Sequence, residues 1–217
     1  MLGDLATNSD PDSPPFYVHV AQPFSIWPTP LDAMDDSRIE PGNSWAKAKR
    51  WSVIEGNDTD VVSFFYMWRN DAAYPVIINA DSSIVVNGRC VVIAEGGIFP
   101  GTRYASITLT AALMTVKWWE NPPTSPLLQD SQRTNITNLE ISNGDFFQFQ
   151  ESRARDVFGE FAVGYKTLEV PAGETAIFEV AFWATYDHKN GEIDYDFSRG
   201  DFAVRCPNLL VTVLTGP

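Results

Sequence analysis

Cations, histidines and cysteines are scarce in this chain, and each scarcity removes a class of function. Lys and Arg together number 15 against 28 Asp and Glu, a net charge of −13. A nucleic-acid coat needs cations to displace phosphate counterions, and the basic residues cluster only at Lys47, Lys49 and Arg50. Direct nucleic-acid binding is therefore not expected, nor is electrostatic attachment to an anionic membrane. The two histidines, His19 and His188, leave little for base-assisted nucleophilic catalysis, and there is no Gly-x-Ser-x-Gly elbow. His188 lies in Asp187-His188-Lys189-Asn190-Gly191, which reads as a solvated turn. Two cysteines, Cys90 and Cys206, are too few for a disulfide scaffold or a cysteine zinc site. One bridge between them is open in an oxidising compartment; the expectation is two buried free thiols.

Long apolar runs are missing too. The uncharged stretch from Tyr104 to Val116 is shorter than the roughly 20 residues a membrane helix needs, so no transmembrane segment is expected. The opening MLGDLATNSDPDSPP has no basic start and no apolar core, so it does not read as a signal peptide. Pro11, Pro14 and Pro15 keep it extended, and Asp4, Asp10 and Asp12 make it acidic. Residues 1–15 are expected to form a polar arm that reaches across a neighbouring subunit. With no Lys or Arg, the arm is not expected to line a genome.

What the chain does have is apolar and aromatic content, 44% and 13% of its 217 residues, enough for a large core. That content alternates. In the stretch from Gly173 to Leu214, Phe178, Val180, Phe182, Ala184 and Tyr186 fall on one face of a strand. Ile177, Glu179, Ala181, Trp183 and Thr185 fall on the other, the pattern of a half-buried strand in a layered β protein. Similar stretches recur at Phe16–Val20, Arg50–Glu55, Val61–Trp68, Pro75–Asn79, Ser83–Ala94, Arg103–Trp119, Ile136–Ile141, Asp145–Phe149 and Phe161–Val170. The expected fold is all-β: a two-sheet antiparallel sandwich of about ten strands, jelly-roll-like, in one domain over residues 16–217.

Local signals add detail. Asn87-Gly88 predicts a tight hairpin turn inside Ser83–Ala94. The prolines at 23, 28, 30 and 41 predict a long irregular connection over residues 22–42, with one helical turn at Leu31–Met34. Asn43–Lys49 reads as a short capped helix and Glu151–Val157 as a helical turn. Ser63–Ala94 and Ile177–Val213 share an outline: an aromatic strand ending in Trp68 or Trp183, then Arg89-Cys90 or Arg205-Cys206, then an apolar strand. Duplicated Greek-key halves and chance resemblance both account for it.

Functional candidates are few. Trp27 lies between prolines, and Trp118-Trp119 ends a strand beside Pro122-Pro123; exposed indoles stack on sugar rings or bury into partners. These three are the expected binding residues. Asp187, Glu192, Asp194 and Asp196 are the one dense carboxylate set and a weak candidate for Ca²⁺, with a solvated acidic face as the favoured reading. No cofactor is otherwise expected. A glycoside hydrolase on a jelly-roll frame stays open as a third reading, although no carboxylate spacing selects its pair, and Arg199-Gly200-Asp201 reads as a turn. The sequence therefore favours a non-enzymatic assembly protein, such as a shell or capsid subunit of a virus-like particle, in a virion or extracellular particle. It would self-associate through residues 1–15 and the proline-rich loops. The alternative is a glycan- or membrane-binding module of lectin or toxin type that uses the loop tryptophans.

Overall fold

A computed structural model of the chain describes residues 15–97, 101–118, 127–143 and 149–214. The arm at 1–15 lies outside these residues except for Pro15, as does most of the expected strand Asp145–Phe149. Among the described residues there are thirteen strands rather than about ten. They are β1 (Phe16–Val20), β2 (Ser25–Thr29), β3 (Met34–Arg38), β4 (Ser44–Ser52), β5 (Gly56–Arg69), β6 (Val76–Ala94) and β7 (Arg103–Trp118). After these come β8 (Leu127–Asn143), β9 (Glu151–Val170), β10 (Thr175–Lys189), β11 (Gly191–Phe197), β12 (Ala203–Cys206) and β13 (Leu209–Leu214). They form two antiparallel sheets packed as a sandwich.

One sheet runs β2-β5-β10-β7-β8. The other is built around β6. Along one side β6 pairs with β9, and along its other side it meets β13, β12 and β11 in succession. Residues 191–214 thus behave as one interrupted strand alongside β6. Beyond them lie β4, then β3, with β1 on β13. The two stretches with the shared outline lie side by side: β5 pairs with β10 in one sheet, and β6 with β11–β13 in the other.

Local expectations fail where tertiary contacts outweigh a turn or helix signal. β6 runs unbroken through Asn87-Gly88. Gly88 is there for close approach, since a Cβ on it would stand 2.6 Å from the Asp196 carbonyl oxygen and inside the Phe197 ring. Residues 22–42 hold β2, β3 and a 3-10 turn at Leu31–Ala33, with Pro28 on the edge strand β2, Pro30 just after it, and Pro23 and Pro41 in the connections. Asn43–Lys49 and Glu151–Val157 are strand, not helix. In β4 the alternation of Ala46, Ala48 and Arg50 with Trp45, Lys47, Lys49 and Trp51 puts the small residues into the core.

The inner faces meet in one contiguous core. Phe64, Tyr66, Phe178 and Phe182 come from the first sheet, and Ile84, Ile193, Tyr195 and Phe197 from the second, all essentially inaccessible to solvent. Cys90 and Cys206 are free thiols within it. Burial pushes the Cys90 thiol up to about 12 and Cys206 up to about 11. Ser82 and Tyr66 hydroxyls lie 3.4 and 3.1 Å from the Cys206 sulfur.

Candidate functional site

Three features of the sandwich could carry function: a buried charge network, an apolar patch on one outer face, and a charged cleft on the other.

The network starts at Arg50, which points inward from the end of β4. It donates from Nε and Nη2 to both oxygens of Asp60 on β5, at 2.9 and 3.0 Å. It donates from Nη1 and Nη2 to Asp32 in the 3-10 turn, at 2.9 and 3.1 Å. The Tyr195 hydroxyl donates to Asp60 Oδ2 at 2.5 Å. One guanidinium therefore ties both sheets and the 3-10 turn together. Asp60 is only 2% exposed, so its charge depends on these donors. The hydrogen bonds from Arg50 lower the Asp32 carboxyl, and burial and the Asp60 charge raise the Tyr195 hydroxyl. His188 is buried beside this region rather than solvated. It is 1% exposed, with Nε2 3.0 Å from Ser52 Oγ, because β10 continues through it before turning at Asn190.

The apolar patch lies on the outer face of the sheet containing β5. Trp27 is 56% exposed, and β2 places it beside Ser63 of β5. Phe24 and Met67 are each 51% exposed. Phe24 lies 6.2 Å from Phe65 between ring centroids, and Met67 follows Phe65 on the same face, opposite Ile177. Glu179 is set between Phe65 and Met114 by the strand register and accepts from Ser63 Oγ at 2.5 Å. Burial raises its pKa. A carboxyl raised by burial is penalised once ionised, so its destabilising effect is absent at low pH and grows as pH rises through the unfolded carboxyl range. Glu179→Gln is expected to raise the melting temperature at pH 7–8 and leave it unchanged near pH 4. Calorimetry at the two pH values checks this; an equal gain at both would refute the desolvation account.

The cleft, of about 450 Å³, lies where β4 and β11 run together. Its walls carry Lys49, Arg50 and Trp51 on one side and Asp194, Asp196 and Arg199 on the other, with Asp32 at its margin. Lys49 pairs with Asp35 at 2.7 Å, and Arg199 pairs with Asp196. Asp194 is half-buried opposite Trp51, and burial followed by the Asp196 charge raises its pKa.

The expected site residues are not brought together. Trp27 is exposed on an edge strand rather than a loop. Trp118 closes β7, but its side chain and Trp119 lie outside the described residues. Asp187 is on β10 and accepts from the Tyr104 hydroxyl at 3.0 Å, whereas Glu192, Asp194 and Asp196 are on β11 in the other sheet. Among the described residues no three His, Cys, Asp or Glu side chains converge to hold a metal ion. The β11 carboxylates do share one face, but β11 is flanked by β4 and β6, so they do not guard a sheet edge. Arg199-Gly200-Asp201 is a turn, with Gly200 at φ 53° and Phe202 N–H donating to the Arg199 carbonyl at 2.8 Å. Among the described residues no helix is long and apolar enough to cross a membrane.

No family model matches the chain, and no curated protein matches it. Among solved structures, the chain is similar to one in the structure of infectious bursal disease virus Gx strain. The identity is 10%, with 84% of this chain and 46% of that chain covered, at a TM-score of 0.14. The structure of infectious bursal disease virus Gt strain gives 10% identity, 98% and 51% coverage, and a TM-score of 0.14. The chain thus spans about half the length of those chains, and a TM-score of 0.14 is too low to establish a shared fold.

Proposed function

We propose that this chain is a non-enzymatic assembly protein, a shell or capsid subunit of a virus-like particle, that buries the apolar patch around Trp27 against a second copy of itself. The observation that carries this reading is the patch. Phe24, Trp27 and Met67 stand exposed around Phe65 on a sheet face that a solitary sandwich would keep polar. Contact through the face is favoured over strand addition at the β2 edge, because β2 is short and Pro28 offers no N–H.

The strand order supports the same reading. With β11–β13 counted as one strand, the long strands interleave as β4, β11–β13, β6, β9 in one sheet and β5, β10, β7, β8 in the other. We read that order as the double Greek key of a jelly roll, a frame used by viral shell domains and also by lectins and cupins. Fold alone does not choose among these. The patch favours assembly because three large apolar side chains, Phe24, Trp27 and Met67, stand exposed together on it.

Native mass spectrometry and light scattering at micromolar concentration test the proposal. Oligomers are expected for the parent and monomers for Trp27→Glu combined with Met67→Glu. Both substituted positions are exposed, so folding is expected to survive. A parent chain that stays monomeric would sink the proposal. Glycan capture lost on Trp27→Ala would replace it with the lectin reading, which the exposed indole of Trp27 also supports.

A further inference from the structure

The cleft between β4 and β11 is lined by three cations and three carboxylates, but they are not equally engaged. Arg50 spends its guanidinium on Asp60 and Asp32, Lys49 is held by Asp35, and Arg199 by Asp196. Arg89 on β6, the register partner of Asp196, pairs with Asp156 at 3.9 Å. Asp194 accepts no hydrogen bond and closes no ion pair among the described residues, although Arg199 and Arg89 lie near enough to favour its charge. Its cross-strand neighbour is Trp51, 70% exposed, and the two side chains share the outer face. Cross-strand partners on one face have Cβ atoms about 4.5–5.5 Å apart, so one small group can touch both. The Trp51 ring is also oriented, because Nε1 donates to Glu192 Oε2 at 3.2 Å.

We propose that this cleft binds an organic cation, a guanidinium or primary ammonium carried on a short apolar stem, between the Trp51 ring and the Asp194 carboxylate. An unspent carboxylate supplies the charge-assisted acceptor, and the indole face supplies cation–π attraction and cover for the stem. An anion would find the cations of the cleft already occupied. A volume of about 450 Å³ suits a ligand of this size, and the net charge of −13 raises the local concentration of cations. The cleft lies on the opposite outer face of the sandwich from the Trp27 patch, so the two can be tested separately.

Titration calorimetry of the intact chain at low ionic strength tests the site, with agmatine as the free cation and a blocked Gly-Arg-Gly peptide as the side-chain form. Saturable one-to-one binding is expected. Asp194→Asn should weaken it about tenfold through loss of a charge-assisted bond. Trp51→Leu should weaken it roughly two- to fivefold through loss of the ring. Binding of agmatine supports a small-molecule ligand, and binding of the peptide alone supports an arginine side chain from a partner. Trp51→Leu is an exposed substitution and keeps the test open if Asp194→Asn fails to fold. Equal affinity in the parent and Trp51→Leu, or heat from Ca²⁺ but from neither organic cation, would overturn the proposal.

Discussion

Replacing Arg50 by alanine is expected to cost about 3–5 kcal/mol of stability, the penalty for stranding a buried charge. Asp60 would keep its position 2% exposed, with the Tyr195 hydroxyl as its remaining donor. The 3-10 turn would also lose its tie to the sandwich, since Asp32 reaches the core through the same guanidinium. For a chain of this length the melting temperature should fall by roughly 6–20 °C. Arg50→Lys should recover little, because an ammonium cannot make two bidentate pairs. The double substitution Arg50→Ala with Asp60→Ala should cost clearly less than the sum of the two single ones, as expected for partners in one network. Urea denaturation of the four proteins checks this. A loss below about 1 kcal/mol for Arg50→Ala, the level of an exposed ion pair, would show that the network is not the tie described above.

Phe182→Ala should be comparably damaging, at about 3–5 kcal/mol. Phe182 comes from β10 and Phe197 from β11, so the pair spans the two sheets at the centre of the core. The ring centroids are 5.2 Å apart at 66°, edge to face, and neither side chain is more than 1% exposed. Truncation removes the buried area, opens a cavity and loses the ring contact, which alone is worth about 0.5–1.5 kcal/mol. Phe182→Leu should recover much of the loss, since it restores volume without the ring geometry. The denaturant midpoint should shift with the slope unchanged, because the native surface stays the same. A changed slope, or an alanine variant within 1 kcal/mol of the parent by the same bookkeeping, would mean that the core repacks around the gap.

Much of the fold is legible in the chain itself. The alternation of Phe178, Val180 and Phe182 with Ile177, Glu179 and Ala181 predicts a strand with one face in the core, and β10 is that strand. The same rule separates Ile193, Tyr195 and Phe197 from Glu192, Asp194 and Asp196 on β11. Side-chain parity is a property of the extended backbone, so it can be read before any partner is known. Turn and helix signals are weaker because they compete with pairing. Asn87-Gly88 would turn an isolated strand, but pairing along both sides of β6 holds it straight. Asn43–Lys49 would cap a helix, but β11 and β12 offer it a ladder.

The candidate sites were less legible. Trp27 could be picked out as an isolated indole between prolines, although its place on an edge strand could not. Trp51 had no local mark, and it matters here because the register sets it opposite Asp194. Arg50 looked like the end of a basic cluster, yet it points between the sheets. His188 looked like turn surface and is buried.

By itself, the sequence determined an acidic all-β sandwich with alternating strands and only two cysteines, and it holds no motif for nucleic-acid binding or histidine-based catalysis. These follow from composition and from the two-residue period of a strand, which need no knowledge of neighbours. That the two thiols stay apart was decided by the structure. Only the tertiary structure decided which strands pair, and so which charges meet. It joined Arg50 to Asp32 and Asp60, left Asp194 beside Trp51, and gathered Phe24, Trp27 and Met67 around Phe65. The Trp51–Asp194 and Trp27–Ser63 pairings depend on a register between strands far apart in the chain, and a register has no signature in either strand alone; the Arg50 network depends on how the two sheets pack face to face.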